Sequence, residues 1–178
     1  LTLNSSGLIG GSVRSIIQCG DNILVSLAND NIVSLGEDAV LAKGLDLFKS
    51  NDVLFTNLGF RSEDCGESWQ QLNVSFTSNV ESSDETLFAL IDGDIQLSND
   101  AGLSWTDRLT TEEDLIDFVV FDNHIYYLRI NDLTKVHQYS LDSKQTVEYS
   151  FQQSIYNIEH YDNNKLLLFG NSELYLKE

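Results

Sequence analysis

The feature that most constrains the fold is an eight-residue phrase that occurs twice, Ser-x-Asp-x-Gly-x-Ser-Trp. It spans Ser62–Trp69 and Ser98–Trp105, so each fixed position recurs after 36 residues. Both tryptophans of the chain belong to it. Average residue usage would produce one such match in roughly one chain in a few thousand. Two matches at one period therefore indicate a structural repeat.

The residue types of this phrase are those of a tight turn closed by its own side chains. The aspartate can accept hydrogen bonds from backbone N–H groups one or two residues further on, and the first serine can do so more weakly. The glycine supplies the positive φ of a hairpin tip, and the tryptophan folds back over the turn as the next strand begins. The oxygen spacing differs from that of a calcium loop, so we expect structural turns rather than metal or catalytic sites. The predicted turn residues are Ser62, Asp64, Gly66 and Trp69, and Ser98, Asp100, Gly102 and Trp105.

A second repeat runs along the chain: an apolar segment, a tip rich in Asp or Asn, and a strongly apolar strand. The five tips are CGDN, KSND, SSDE, FDNH and YDNN. A polar break and another short strand follow each of them. No stretch shows sustained helical spacing, and the absence of proline leaves the turns to Gly, Asn, Asp and Ser. The sequence therefore predicts an all-β chain of repeated antiparallel units.

The repeats predict a single domain over residues 1–178, a β-propeller of five four-stranded antiparallel blades. Unit one is predicted at Val13–Cys19, Asn22–Ala28, Asn31–Leu35 and Ala39–Ala42; units two and three begin near Leu45 and Thr77; units four and five are 114–153 and 154–178. Only three strands fit in unit five, and Leu1–Asn4 forms a short strand without a unit. We expect that strand to complete the fifth blade and close the ring. The alternative is a fragment of a larger propeller, for example one with seven blades.

The repeated phrase resembles the Asp-box, or bacterial neuraminidase repeat, of the β-propellers of sialidases, sortilin and Vps10 receptors, and photosystem II assembly factors. The match is complete over residues 62–69 and 98–105, and the other three units lack the phrase. The resemblance implies that each box joins the third and fourth strands at the blade periphery, on the face away from the ligand site. By this resemblance the boxes are scaffold.

Sialidase activity, which the resemblance invites, is disfavoured by residue type. That chemistry implies three arginines around a carboxylate, a Tyr and Glu pair, an Asp acid and an early Arg-Ile-Pro signature. The chain has no proline, and its arginines are Arg14, Arg61, Arg108 and Arg129. A two-carboxylate glycosidase is compatible with the 28 acidic residues, although acids more often form a solvated surface.

The charge balance indicates the kind of partner. A net charge of −18 repels nucleic acid, and no apolar run is long enough for a membrane helix. In a propeller the connections from second to third strands share one face with those between blades. We expect an acidic face there that binds a basic or mixed polypeptide, with solubility alone as the competing explanation. Its predicted residues are Asp30, Asp92, Asp94 and Asp132.

Cys19 and Cys65 fit neither a disulfide framework nor a zinc site, because the three histidines lie far from both along the chain. We therefore predict two free thiols in a reducing, intracellular compartment. The Asn-x-Ser sequons at Asn4 and Asn73 are expected by chance in a chain rich in Asn and Ser. Leu1 at the start and the absence of Met favour a piece of a longer or processed protein.

These observations predict a non-enzymatic propeller without cofactor or metal that mediates protein–protein interaction within a larger assembly. The alternative is a carbohydrate-active enzyme or a lectin that uses the ligand face of the propeller. A deep central pocket lined by carboxylates and arginines favours the alternative, whereas a flat or filled centre favours partner binding.

Overall fold

The computed structural model describes residues 12–36, 39–106, 115–161, 165–170 and 174–177 of the 178-residue chain. Within these ranges the backbone forms strands and turns and no helix, so the prediction of an all-β chain is confirmed. The chain divides into two compact units, Leu1–Phe76 and Thr77–Glu178. The single domain over residues 1–178 stays a prediction.

The first unit contains two four-stranded antiparallel sheets, each ordered as in the chain. The first sheet consists of β1 (Val13–Cys19), β2 (Asn22–Leu27), β3 (Asn31–Ser34) and β4 (Val40–Lys43). The second consists of β5 (Leu47–Ser50), β6 (Val53–Thr56), β7 (Phe60–Ser62) and β8 (Gln70–Gln71). The first three strands begin where the sequence predicts, and β4 begins one residue after the predicted Ala39.

The second unit contains three antiparallel sheets in the same sequential order. The third sheet consists of β9 (Phe76–Ser83), β10 (Thr86–Ile91) and β11 (Asp94–Ser98). The fourth consists of β12 (Leu115–Phe121), β13 (His124–Arg129), β14 (Asp132–Ser140) and β15 (Thr146–Ser150). The fifth consists of β16 (Ile155–Tyr161), β17 (Lys165–Gly170) and β18 (Leu174–Lys177). The predicted fourth strand of unit three appears only as a bridge between Leu97 and Thr106, and Leu1–Asn4 lies outside the described residues.

The Asp and Asn residues of the tips explain how the hairpins close without proline. Residues of these types adopt the left-handed conformation more readily than other non-glycine residues. Asn51, Asp84, Asp122 and Asn123 have φ of 53°, 53°, 49° and 58°, and each lies between the first two strands of its sheet. The acidic tips are therefore turn formers, as the pattern predicts.

Packing between successive sheets supplies the core of each unit. In the second unit, Ile125 and Tyr127 of β13 pack against residues of β10 and β12, whereas Tyr126 and Leu128 pack toward β16 and β17. Alternate side chains of a strand point to opposite faces, so β13 is buried on both sides. In the first unit, Leu24 of β2 packs with residues of the second sheet in a similar cluster.

The prediction of free thiols is wrong, because Cys19 and Cys65 form a disulfide. Cys19 ends β1 and Cys65 lies in the first repeated turn, so the bond joins the two sheets of the first unit across 46 residues of sequence. Asn22 Nδ2 also donates to the Cys65 carbonyl, 3.3 Å away. The two cysteines are brought together only by folding, and their spacing in the sequence matches no known disulfide pattern. Since disulfides persist in oxidising compartments, the expectation of an intracellular chain loses its basis.

The turn from β6 to β7 is held against the connection from β8 to β9. Leu72 N donates to Gly59 O at 2.8 Å, and Phe76 N donates to Asn57 O at 3.0 Å. Gly59 has a φ of 79°, and a Cβ placed on it would lie 1.9 Å from the Val74 carbonyl oxygen. Only glycine fits both the backbone conformation and this close approach.

Gly59→Ala should therefore lower the free energy of unfolding by about 3 kcal/mol or more, because it adds a backbone clash to the cost of left-handed φ. Gly36→Ala is the matched control, since Gly36 also has positive φ, 94°, but no atom lies within 4 Å of the added Cβ. The control should cost about 1 kcal/mol. Urea denaturation measures both losses, and equal losses would contradict the packing of this turn.

Candidate functional site

Each repeated turn is closed by hydrogen bonds between its own side chains and its own backbone. Ser62 Oγ donates to Asp64 Oδ1 at 2.7 Å and accepts from Gly66 N at 2.9 Å. Asp64 Oδ1 also accepts from Ser68 N at 2.9 Å. The second copy repeats these contacts at 2.7, 2.8 and 2.9 Å. The turn that the residue types predict is thus formed twice with nearly equal distances.

The carboxylates of both turns are saturated by local donors. Ser68 and Ser104 each donate their hydroxyl to the second oxygen of the aspartate, in addition to their backbone N–H. These hydrogen bonds, from the hydroxyl first and the N–H second, lower the pKa of Asp64 and of Asp100 to about 2. Both groups are therefore ionised at neutral pH, with their oxygens committed to the turn.

The structure adds two features to the predicted turns. The residue before each glycine, Cys65 or Ala101, is also left-handed, with φ of 56° in both cases. The two tryptophans are each partly buried. Trp69 Nε1 donates to Gly66 O at 3.0 Å, and its ring packs beside the core of the first unit. The indole therefore covers the turn as predicted.

The four predicted partner-binding aspartates all lie at turns between the second and third strands of their sheets. Asp30 follows β2 and Asp92 follows β10, with φ of 62° and 52°, and both are exposed. Asp94 begins β11 and is half-buried. Asp132 begins β14, accepts from Thr134 Oγ1 at 2.7 Å and pairs with Lys135 Nζ at 3.4 Å. The structure describes Asp30 in the first unit and the other three in the second.

Polar side chains on the first strands of the sheets form a set of contacts that the sequence analysis missed. Ser15 and Asp117 occupy the same position, directly after a register irregularity in β1 and β12. Ser15 Oγ accepts from Leu47 N of the next sheet at 3.2 Å, and Asp117 Oδ2 accepts from Ile158 N of the next sheet at 2.8 Å. Asn79 of β9 reaches forward too, donating Nδ2 to Phe118 O at 3.1 Å. In the sequence, a polar residue within an otherwise apolar first strand is the pattern that could have predicted these contacts between sheets.

Asp117 is the centre of this network in the second unit. It is 8% exposed and accepts from Phe118 N at 3.0 Å and from Asn157 Nδ2 at 3.0 Å, besides Ile158 N. Buried carboxylates need such donors, because an unpaired charge in the interior is costly. Burial nevertheless raises the pKa of Asp117 to about 6, against the opposing effect of these hydrogen bonds.

A second carboxyl, Glu81 of β9, lies within electrostatic range of Asp117. Burial, and then the charges of Glu159 and Asp117, raise the pKa of Glu81 to about 7, although Asn79 donates a hydrogen bond to it. Like charges that share a partly buried region resist ionising together. The first strands of the three sheets of the second unit thus carry three acids that interact.

Little else in the described residues resembles a ligand site. A cavity of about 190 Å³ in the first unit is lined by Asn22, Leu24, Ser34, Leu41, Cys65, Gly66 and Glu67. Pockets for drug-sized ligands hold about 300 Å³ or more. No group of three His, Cys, Asp or Glu side chains in the described ranges is arranged to hold a metal ion. The same ranges contain no helix of the length and hydropathy needed to cross a membrane.

Comparison with known proteins identifies the fold. No family model matches the sequence, and no curated protein matches it either. The extracellular domain of a hybrid two-component system of B. thetaiotaomicron is similar in structure, with a TM-score of 0.72 and 15% identity over 98% of this chain. The GH74 enzyme of Niastella koreensis has a TM-score of 0.64 and 14% identity over 94%. BamB from Moraxella catarrhalis has a TM-score of 0.55 and 10% identity over 90%.

The chain has a propeller-like all-β fold. It spans 28% of the B. thetaiotaomicron chain, 29% of the Niastella chain and 67% of the BamB chain. At these identities the likeness concerns the fold alone.

The two kinds of carboxyl predict that stability passes through a maximum near pH 4. Asp64 and Asp100 have pKa values of about 2, below the usual 3.8, so their contribution is present above pH 3.8 and lost as the pH falls toward 2. Glu81 and Asp117 have pKa values of about 7 and 6, above the usual 4.5 and 3.8. Their contribution is therefore present at low pH and lost as the pH rises toward 7.

Two substitutions test the two sides of this stability profile separately, each by urea denaturation as a function of pH. The acid limb is the loss of stability below the maximum, and the alkaline limb is the loss above it. Asp100→Asn should cost about 1 kcal/mol at pH 6 and flatten the acid limb, because the neutral amide loses the charge-assisted hydrogen bonds. Glu81→Gln should gain roughly 1–2 kcal/mol at pH 8 and flatten the alkaline limb. Asp21→Asn, at an exposed tip, is the control and should leave both limbs unchanged. A profile that rises steadily from pH 4 to pH 8 would contradict the buried acids.

Proposed function

We propose that this chain is a non-enzymatic β-propeller scaffold that binds a basic or mixed polypeptide through acidic turns. The observation that carries the proposal is the state of Asp30 and Asp92. Both are exposed at tight turns, and within the described residues neither carboxylate makes a hydrogen bond or an ion pair. Their charges are thus available to a partner, whereas Asp132 is partly neutralised by Lys135.

The arrangement of the turns favours recognition of a polypeptide. Hairpin turns between packed strands hold the acids in fixed positions, which limits the entropy lost on binding. The net charge of −18 steers a basic partner toward the chain and disfavours acidic ones. The described sheets supply the rigid support on which such turns are presented.

The proposal predicts that partners recovered from extract at about 50 mM salt are lost at about 500 mM salt, because ions screen the exposed charges. Asp92→Asn combined with Asp94→Asn should also lose them. Asn tolerates left-handed φ, so the turn is retained. The matched control is Asp84→Asn with Asp122→Asn, which removes the same charge from tips that join first and second strands.

One outcome of this experiment would contradict the proposal. If the Asp92 and Asp94 double variant recovers the same partners as the wild type at both salt concentrations, electrostatic capture by these turns is wrong. Titration with a synthetic Lys- and Arg-rich peptide, followed by calorimetry, gives the same comparison for a defined ligand. Equal losses in the control variant would indicate a general effect of net charge.

A carbohydrate-active enzyme or lectin is the second candidate, and Glu81 is the observation that favours it. General acid catalysis of glycoside hydrolysis uses a carboxyl kept protonated near neutral pH beside a second carboxylate. Glu81, with a raised pKa of about 7 and with Asp117 and Glu159 in electrostatic range, has that character. In the same preparation, hydrolysis of a polysaccharide panel that disappears in Glu81→Gln would replace the scaffold proposal.

We propose the closed five-bladed ring as the finer architecture, with Leu1–Asn4 as the outer strand of the fifth blade. The fifth sheet supports this proposal, because it has only three strands within the described residues. Among those residues, no strand pairs with the outer edge of β18. An open edge exposes unpaired N–H and C=O groups and favours addition of a strand. A fragment of a larger propeller is the competing arrangement.

Removal of residues 1–4 should therefore speed hydrogen exchange at the backbone amides of β18 several-fold, because the added strand protects them. Amides of β2, a central strand of the first sheet, serve as the internal control. Unchanged exchange at β18 would refute closure by this segment.

A further inference from the structure

The connection from β8 to β9 presents a sequon whose acceptor is open to solvent. Asn73, Val74 and Ser75 form the Asn-x-Ser sequence, with Asn73 and Ser75 exposed and Val74 half-buried. The flanking residues Leu72 and Phe76 are 9% and 4% exposed. The segment alternates between inward apolar and outward polar side chains, so both polar residues of the sequon lie on the solvent side, where the folded chain leaves room for a glycan.

The backbone contacts of this segment leave the acceptor amide free. Leu72 N and Phe76 N are bonded to the turn from β6 to β7, which fixes the two ends of the segment. Within the described residues the Asn73 side chain makes no hydrogen bond. An exposed amide on a short connection anchored at both ends meets the steric needs of a modification site.

The disulfide supplies an independent observation about the compartment. Cys65 lies in the same unit, eight residues before Asn73, and its bond to Cys19 forms and persists in an oxidising environment. N-glycosylation of Asn-x-Ser occurs in secreted proteins, which pass through such an environment. Composition alone explains the sequon as a chance occurrence. The disulfide places the chain in an environment where the sequon can be used, and so favours modification of Asn73.

We propose that Asn73 is an N-glycosylation site. In the transfer, Asn73 Nδ2 attacks the anomeric carbon of an oligosaccharide carried on a polyprenyl diphosphate. The new bond joins Nδ2 to the anomeric carbon, the bond from that carbon to the diphosphate oxygen breaks with its electron pair staying on the diphosphate, and the amide nitrogen loses one proton to the solvent. The lipid diphosphate leaves. Ser75 is the residue of the sequon that the transferase recognises.

The glycan would have a consequence for the surface of the first unit. The segment 72–76 lies against the turn from β6 to β7 through the hydrogen bonds of Leu72 and Phe76. A bulky, hydrated glycan on Asn73 covers this rim and keeps it in solvent. The rim around residues 57–59 and 72–76 is therefore excluded from protein contacts, which confines docking to other surfaces.

The test measures occupancy in the full chain by peptide mapping after treatment with peptide N-glycosidase. Protein from its native cells should yield the Asn73 peptide with asparagine converted to aspartate. The chain translated with microsomes should lose the glycan in Asn73→Gln and Ser75→Ala, and keep it in Ser75→Thr, each in an Asn4→Gln background that removes the other sequon. Unmodified Asn73 in native protein that contains the Cys19–Cys65 bond would overturn the proposal.

The microsome assay does not depend on the stability of the variants, because transfer occurs on the entering chain. A glycan that persists in Asn73→Gln in the Asn4→Gln background also overturns the assignment. Ser75→Thr is the conservative control, since it keeps the hydroxyl that the sequon requires.

Discussion

Face-to-face packing of successive sheets is the interaction on which the other features of each unit depend. A strand such as β13, with Ile125 and Tyr127 on one face and Tyr126 and Leu128 on the other, buries apolar side chains on both sides. A sheet of this kind is stable only between two neighbours. Backbone groups at the junction then need partners, and Asp117 supplies them across β12 and β16. The polar contacts between first strands thus follow from the apolar packing.

The strands and turns could be predicted from the sequence because they are local. Short apolar runs mark β1 to β3, and Asp, Asn and Gly at the tips provide the left-handed conformations that the hairpins require. The repeated phrase likewise encodes its own hydrogen bonds within eight residues. Non-local features were missed or wrong. The Cys19–Cys65 bond closes 46 residues, and the contact from Asp117 to Ile158 joins two sheets, so neither has a spacing that sequence alone reveals.

The candidate site was predictable only in part for the same reason. The aspartates at turns, Asp30 and Asp92, lie where the strand order puts them. The availability of their charges depends instead on neighbours: Asp132 occupies an equivalent turn but pairs with Lys135. The interaction of Glu81 with Asp117 and Glu159 depends on packing of three separate strands, which residue types do not specify.

Six of the acidic side chains show that carboxylates serve three different physical roles in this chain. Asp64 and Asp100 are anions that close turns, and their hydrogen bonds leave little capacity for a ligand. Glu81 and Asp117 are partly or wholly buried, so their pKa values rise and their charge is reduced near neutral pH. Asp30 and Asp92 form turns through the backbone while their carboxylates remain solvated. Of these six residues, Asp30 and Asp92 are the two whose carboxylates make no hydrogen bond or ion pair within the described residues. A partner selected by electrostatics would consequently meet unpaired carboxylates at these particular turns.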